Sequence, residues 1–143
     1  MTDFDRMVAE LQLQIIQQEE ALYSARVLEE ARRPRNLGRM VEPDTYAVVR
    51  GWCGDTMEIY LRLNGQRVQE ATFLTDGCGP SVACGSRLTV MTQGMTLEET
   101  EAIRAEDLIA ALDGLPEEHI HCADLAVSTL QNAIVNWCAA HKT

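Results

Sequence analysis

Two runs of alternating apolar and polar residues, joined by Asn64-Gly65, constrain the fold of this chain more than any other sequence feature. The first run has an apolar residue at every second position: Met57, Ile59, Leu61 and Leu63. A period of two is typical of a strand with one buried face. An Asn-Gly pair between such runs is a strong β-hairpin signal, because both residues tolerate a positive φ. We therefore predict antiparallel strands over 57–63 and 67–75, with a third strand over 46–50.

Helical patterns flank this sheet. Residues 2–33 are rich in good helix formers and carry apolar residues near helical spacing: Phe4, Met7, Val8, Leu11, Ile15 and Leu22. Pro34 is predicted to end this helix. We interpret residues 1–22 as an N-terminal helical extension that serves as an interface or self-association element, with packing onto the core as the alternative.

Four further helices are predicted after the sheet. Pro80 suits the first turn of one helix and Gly94 its end. Thr96 and Glu99 have the spacing of a capping box. The remaining helices span about 106–112 and 121–140, the last with an apolar side formed by Leu125, Leu130, Ile134 and Val135. The predicted class is α+β: a three-stranded antiparallel sheet covered by helices, with an additional N-terminal amphipathic helix.

Charge and cysteine usage narrow the classes of function. The net charge of -10 disfavours binding to nucleic acid and suits a basic protein partner or metal ions. No apolar run is long enough for a membrane span, and the acidic start does not resemble a secretory signal, so we expect a cytoplasmic protein. In that compartment the five cysteines are expected to be metal ligands, catalytic groups or buried thiols rather than disulfides.

Cys53, Cys78 and Cys122 are the cysteines at predicted junctions between elements. Cys78 and Cys122 lie at helix starts, where the helix dipole favours a thiolate, the form that binds iron or zinc. The glycines beside Cys53 and Cys78 leave room for a cluster or a partner's loop. Burial as a small core residue is the alternative, and it is the interpretation that we favour for Cys84 and Cys138.

Asp55 and His121 are candidate ligands next to these cysteines. A carboxylate oxygen holds a soft iron–sulfur cluster less firmly than a thiolate does, so Asp55 would keep a bound cluster labile. Its alternative role is that of a turn residue. His121 precedes Cys122 directly, and its alternative is a structural histidine. His119 and His141 have no comparable neighbourhood, except that His119 is close to His121 in sequence.

From about Tyr23 onward the chain resembles the IscU/NifU-type iron–sulfur cluster scaffold proteins. The motifs that carry the resemblance, specific when taken together and in order, are Tyr23-Ser24, Arg33-Pro34-Arg35-Asn36-Leu37-Gly38, Cys53-Gly54-Asp55, Gly77-Cys78-Gly79, Leu115-Pro116 and His121-Cys122. The resemblance implies a scaffold domain over 23–143. It also implies that Cys53, Cys78 and Cys122 ligate a transient cluster, with Asp55 conferring lability and His121 as an alternative ligand or proton handler.

Cargo and partners follow from the same resemblance. The implied cargo is iron and a [2Fe–2S] cluster. The implied partners are a cysteine desulfurase that supplies sulfur, donors of iron and electrons, and acceptor apoproteins. Zinc is implied at the same site as the cluster. The family's chaperone-recognised segment is typically Leu-Pro-Pro-Val-Lys, whereas this chain has Leu115-Pro116-Glu117-Glu118-His119. Two alternatives to a non-enzymatic scaffold remain open: a zinc-dependent sulfurtransferase that relays persulfide sulfur, and a structural zinc module.

Overall fold

A three-stranded antiparallel sheet forms the centre of the molecule, as predicted. The structure, a computed structural model, describes residues 2–141. The strands β1 (Thr45–Arg50), β2 (Thr56–Asn64) and β3 (Arg67–Thr75) lie in the order β1-β2-β3. The hairpin is confirmed, but its turn is shifted by one residue: Asn64 pairs with Arg67, and Gly65 carries the positive φ of 62°. A glycine at the first loop position is typical of a type II′ turn.

Within residues 2–141, six α-helices and one 3₁₀ helix accompany the sheet. They are α1 (Asp3–Leu22), α2 (Ala25–Arg32), α3 (Gly79–Thr92), α4 (Leu97–Glu101), α5 (Ala105–Ala111), the 3₁₀ helix Glu117–His119 and α6 (Ile120–Ala140). The four helices predicted after the sheet and the capping box of Thr96 with Glu99 are confirmed. The described part of the chain contains no helix long and apolar enough to cross a membrane.

One face of the sheet forms the core. Helix α6 packs on β1 and β2, α3 packs on β3, and α2 packs on α3. The period of two places Met57, Ile59 and Leu61 on the helix-covered face, where each is fully buried. On the opposite face, Tyr46 and Tyr60 stack with ring centroids 5.5 Å apart. Val135 was predicted on the apolar side of the last helix; this is wrong, because its side chain is exposed.

The N-terminal region contains two helices rather than the single predicted helix. The backbone becomes extended at Tyr23 and Ser24, and the Ser24 hydroxyl accepts a hydrogen bond from the Val27 amide at 3.0 Å, which caps α2. Helix α2 is anchored on α3, whereas α1 has no buried residue. Packing of α1 onto the core, one of the two alternatives, is therefore wrong for the described chain.

The segment after α2 is held against α3 and β3 by polar contacts. The buried carboxylate of Glu30 accepts hydrogen bonds from Arg35 and from the Ser86 hydroxyl. Asn36 donates to Thr89 at 3.1 Å. The Gly38 amide donates to the Phe73 carbonyl at 2.7 Å, so the chain lies along the edge of β3. This positions α2, and Tyr23 before it, next to the start of α3.

Candidate functional site

The candidate site is built from three places where the chain enters or leaves a regular element. Cys53 lies in the loop between β1 and β2, Cys78 is the N-cap residue of α3, and Cys122 lies in the first turn of α6. Pro80 occupies the first turn of α3, where its missing amide proton costs no hydrogen bond. The sequence prediction that these cysteines sit at junctions between elements is confirmed.

Two thiols and one imidazole form a tight group. One ligand atom each from Cys78, His119 and Cys122 lies within 4.8 Å of the others. Zinc takes sulfur and nitrogen ligands at about 2.3 Å and 2.0 Å, so small side-chain adjustments would bring the three atoms onto one ion. Among residues 2–141, the ligand atoms of Cys53, Asp55 and His121 lie outside this group.

Cys122 is buried, and its thiol is close enough to Cys78, Cys53 and Asp55 to be influenced by their charges. Burial raises the pKa of its thiol to about 11, and the charges of Cys78, Cys53 and Asp55 add to the rise; a hydrogen bond from the Ser81 hydroxyl, 3.4 Å from Sγ, opposes it. The expectation that the helix start lowers the pKa of this thiol is wrong, because desolvation outweighs the helix dipole. Cys122 would therefore release its proton when a metal binds.

Cys53 and His121 line a cavity of their own near Cys122. The exposed Cys53 thiol lines a cavity of about 200 Å³ together with Trp52 and His121. The rings of Trp52 and His121 have their centroids 5.2 Å apart, and Nε2 of His121 lies 3.7 Å from Sγ of Cys122. The cavity thus holds one thiol next to an imidazole that itself contacts a second thiol.

Asp55 reaches toward the start of α3. A tight loop carries it, with the Gly51 amide donating to the Asp55 carbonyl at 2.8 Å and a φ of 93° at Gly54. Its carboxylate lies beside Gly77, the residue before Cys78. Asp55 is therefore close enough to influence the Cys122 thiol electrostatically.

His119 is the functional candidate that sequence reasoning missed. It ends the 3₁₀ helix that precedes α6, and its Nε2 lies 3.0 Å from the phenolic oxygen of Tyr23. Its Nδ1 is buried and has no hydrogen-bond partner among residues 2–141. The available signal was spacing: residues three apart at the start of a helix share a face, which brings His119 to Cys122.

A cleft of about 330 Å³ lies between the tight group and the two N-terminal helices, α1 and α2. The Cys78 thiol is exposed, and Cys78, Tyr23 and His119 line the cleft. Glu19 of α1 and Arg32 of α2 also line it and form an ion pair at 2.9 Å. Burial and the nearby charges of Cys78, Glu118, Cys122 and Glu19 raise the pKa of Tyr23, so its phenol stays protonated at neutral pH.

The two remaining cysteines differ from each other. Cys84 is fully buried inside α3, and burial raises the pKa of its thiol, which confirms it as a core residue. Cys138 was also interpreted as a core residue; this is wrong, because it lies exposed near the end of α6. All five cysteines are free thiols.

The fold and site together define a class of protein: a small α+β domain that presents thiols, an imidazole and a carboxylate at one end. The family model described as the NifU-like N-terminal domain matches residues 22–143. The chain therefore belongs to the NifU-like N-terminal domain family.

Named relatives agree with this family. The iron–sulfur cluster assembly scaffold protein IscU 1 of Archaeoglobus fulgidus is 36% identical over 117 residues, which cover 81% of this chain and 76% of that protein. IscU of Azotobacter vinelandii is 36% identical over 117 residues, covering 78% and 91% of the two chains. IscU of Escherichia coli K12 is 32% identical over 120 residues, covering 80% and 93%.

Solved structures share the fold. The N-terminal part of a nitrogen-fixing NifU-like protein from Brucella abortus has a TM-score of 0.64 at 22% identity, covering 84% of this chain and 95% of that one. A Fervidobacterium islandicum protein, described as an iron–sulfur scaffold for the SUF system, has a TM-score of 0.64 at 18% identity, covering 78% and 96%. At these identities the likeness concerns the fold alone.

Proposed function

We propose that this protein is a scaffold on which iron–sulfur clusters are assembled and from which they are transferred to acceptor apoproteins. The observation that carries the proposal is the gathering of Cys53, Cys78 and Cys122, with Asp55, from separate elements at one end of the domain. Two of the three thiols are exposed, so a partner can reach them. The cluster is the cargo of the protein, which is a carrier and not an enzyme in this proposal.

For the assembled cluster, [2Fe–2S] in this proposal, the ligand set is Cys53, Asp55, Cys78 and Cys122, with His121 as an alternative ligand. Thiolates suit an iron–sulfur cluster, and the carboxylate of Asp55 supplies one weaker bond. Because a scaffold must release its cluster, the weak bond is useful here. Because Nε2 of His121 contacts the Cys122 thiol, a nitrogen ligand lies next to one of the proposed thiolate ligands.

Sulfur is expected to arrive from a cysteine desulfurase as a persulfide. A thiolate of the scaffold attacks the outer persulfide sulfur; a new S–S bond forms, the donor's S–S bond breaks, and the donor cysteine leaves as a thiolate. An iron donor and an electron donor complete the synthesis. The net charge of -10 favours basic surfaces on these partners, and a reducing cytoplasm is where we expect the thiols to remain available.

A reconstitution experiment tests the scaffold proposal. The purified protein is incubated anaerobically with ferrous iron, cysteine, a reductant and a catalytic amount of a cysteine desulfurase, and the visible spectrum is compared with that of Cys78→Ala. We expect charge-transfer bands that grow in the wild type, are absent in the variant, and are lost when an apo-ferredoxin is added. Equal bands in the two proteins would overturn the ligand assignment, and no bands in the wild type would overturn the scaffold.

A zinc-dependent sulfurtransferase is the second candidate. The tight group of Cys78, His119 and Cys122 favours it, because its sulfur and nitrogen atoms are typical zinc ligands. A sulfurtransferase would accelerate the desulfurase over many turnovers without forming a coloured cluster. A stoichiometric response accompanied by colour would favour the scaffold instead.

We further propose that α1 is an extension that pairs with α1 of a second copy. Its heptad seam runs in alternating steps of four and three, and every residue of the seam except Gln18 is apolar: Phe4, Val8, Leu11, Ile15, Gln18 and Leu22. Val8 and Ile15 take the a positions and Leu11 a d position, the combination that favours two parallel strands. Antiparallel pairing would place Asp5 near Glu19 of the other copy, whereas parallel pairing avoids this repulsion. Phe4, Leu11 and Ile15 are each more than half exposed in the single chain.

A further inference from the structure

Cys122 is flanked by two imidazoles with different surroundings. The family resemblance pointed to His121, which contacts Trp52 and lines the Cys53 cavity. His119 instead lies in the tight group with Cys78 and Cys122, on the side of the N-terminal cleft. The two rings are 6.3 Å apart between centroids and line different cavities, so each can act independently of the other.

The two ring nitrogens of His119 have contrasting environments. Nε2 has a partner in the phenolic oxygen of Tyr23 at 3.0 Å. Nδ1 is buried without a hydrogen-bond partner in the described chain, an arrangement that is unfavourable for a polar atom. An unpartnered nitrogen on a ring that belongs to the tight group with two thiols is accounted for if it binds a metal ion.

Tyr23 supplies the outer contact that metal-binding histidines usually have. When Nε2 carries the proton and donates it to the Tyr23 oxygen, Nδ1 is left as the lone-pair nitrogen. Tyr23 is held in place because the chain is extended there and Ser24 caps α2 directly after it. The Ser24 hydroxyl also donates to the Leu112 carbonyl at 2.5 Å, which ties this corner to the chain after α5.

We propose that, before a cluster is assembled, this protein holds a zinc ion through Sγ of Cys78, Nδ1 of His119 and Sγ of Cys122. Tyr23 is a positioning residue that fixes the tautomer and orientation of His119. Cys53 and His121 are left out of this site, so the Cys53 thiol stays free in the cavity that it shares with His121. The inference rests on the proposed function only in sharing Cys78 and Cys122 as ligands.

Thiol alkylation separates this site from one that includes Cys53. Cys53, Cys78 and Cys138 are all exposed, so their reactivities can be compared in one sample. The full chain, metal-free or loaded with one equivalent of zinc, is pulsed with iodoacetamide and analysed by peptide mass spectrometry. We expect zinc to slow the alkylation of Cys78 at least tenfold and to leave Cys53 and Cys138 within twofold. Equal protection of Cys53 and Cys78 would overturn the proposal.

Matched histidine variants test the nitrogen ligand. Zinc affinity is measured by competition with a chromogenic chelator for the wild type, His119→Ala and His121→Ala. Loss of the outer partner of a ligand typically lowers metal affinity 10–100-fold, and loss of the ligand itself should lower it at least as much. We expect that loss for His119→Ala and less than a threefold change for His121→Ala. The reverse order would overturn the assignment, and a circular dichroism spectrum for each metal-free variant verifies its fold.

The role of Tyr23 has a signature that does not depend on metal. Two-bond ¹H–¹⁵N spectra of the metal-free wild type should show His119 as the Nε2–H tautomer, and Tyr23→Phe should shift it to a mixture. Tyr23→Phe should also bind zinc about tenfold more weakly. An Nδ1–H tautomer in the wild type would overturn the proposal. Failed cluster synthesis with intact His119-dependent zinc binding would count against the scaffold function and leave the zinc site standing.

Discussion

Gly77 leaves open the space in which the Asp55 carboxylate lies. A methyl group at Gly77 would come within 3.0 Å of Oδ2 of Asp55, and within 2.6 Å and 2.7 Å of Oγ and Cβ of Ser81. Ser81 in turn donates to Sγ of Cys122. One missing side chain therefore allows the loop that carries Asp55 to approach both the start of α3 and the buried thiol.

The glycines on the two sides of Cys78 offer a matched pair of variants. Gly77→Ala is expected to displace Asp55 and Ser81 and to reduce the yield of cluster at least fivefold. Gly79→Ala is the control, because its new methyl group would meet only Cβ of Ala31 at an ordinary 3.8 Å. Cluster yield is measured by visible circular dichroism after desulfurase-driven assembly. Similar yields from the two variants would show that the crowding at Gly77 has no functional effect.

Asp55→Ala is expected to lengthen the lifetime of a bound cluster. Removing the weak oxygen ligand leaves a site made of stronger donors, so transfer to an apo-ferredoxin should slow by about tenfold. Asp124→Ala, which removes an exposed carboxylate on α6 at the edge of the Cys53 cavity, controls for the loss of negative charge. Transfer is followed as the growth of the ferredoxin spectrum. Transfer at the wild-type rate or faster would contradict the lability argument.

Removal of metal is expected to leave the fold intact. The core between the sheet and the helices is formed mainly by aliphatic residues and Phe73, and the burial of these residues needs no ligand. The metal-free protein should keep its far-ultraviolet circular dichroism and a cooperative melt, with Tm lower by several degrees because bound-metal stabilisation is lost. Unfolding by a chelator would instead indicate a structural zinc module.

The N-terminal helix contains two leucines of similar exposure on different faces. Leu11 is 51% exposed and belongs to the heptad seam, whereas Leu13 is 55% exposed and lies outside it. Leu11→Glu should convert a dimer into a monomer by placing two carboxylates in the seam, and Leu13→Glu should not. Sedimentation velocity measures the mass directly. A monomeric wild type at tens of micromolar would contradict the pairing of α1.

Gly85 allows the ring of Phe73 to pack directly on the backbone of α3. A methyl group at Gly85 would lie 2.3 Å from a ring carbon of Phe73. Alanine usually stabilises a helix by about 1 kcal/mol relative to glycine, but overpacking a core costs about 1–3 kcal/mol. We therefore expect Gly85→Ala to lower the free energy of unfolding, measured with urea. Phe73→Leu in the same chain should relieve part of the loss; strictly additive effects would contradict this explanation.

Local patterns predicted most of the fold. The alternation over 57–63, the Asn-Gly pair and the helix caps each depend on neighbours within a few residues, which is why the strands and most helix boundaries were correct. The break at Tyr23 and Ser24 was not predicted, because good helix formers continue through it. Ser24 caps α2 and contacts the distant Leu112 carbonyl, and such a long-range contact leaves no local pattern.

The chain by itself determined which groups are available: three thiols at junctions between elements, a carboxylate near one of them and two histidines at the start of the last helix. Only the tertiary structure decided which of these groups are buried and which of them contact each other. It buried Cys122 so that desolvation raises the pKa of its thiol, and it placed His119 opposite Tyr23, 96 positions away. Burial and contacts between distant segments depend on how the sheet, α2 and α6 pack together, which spacing along the chain cannot express.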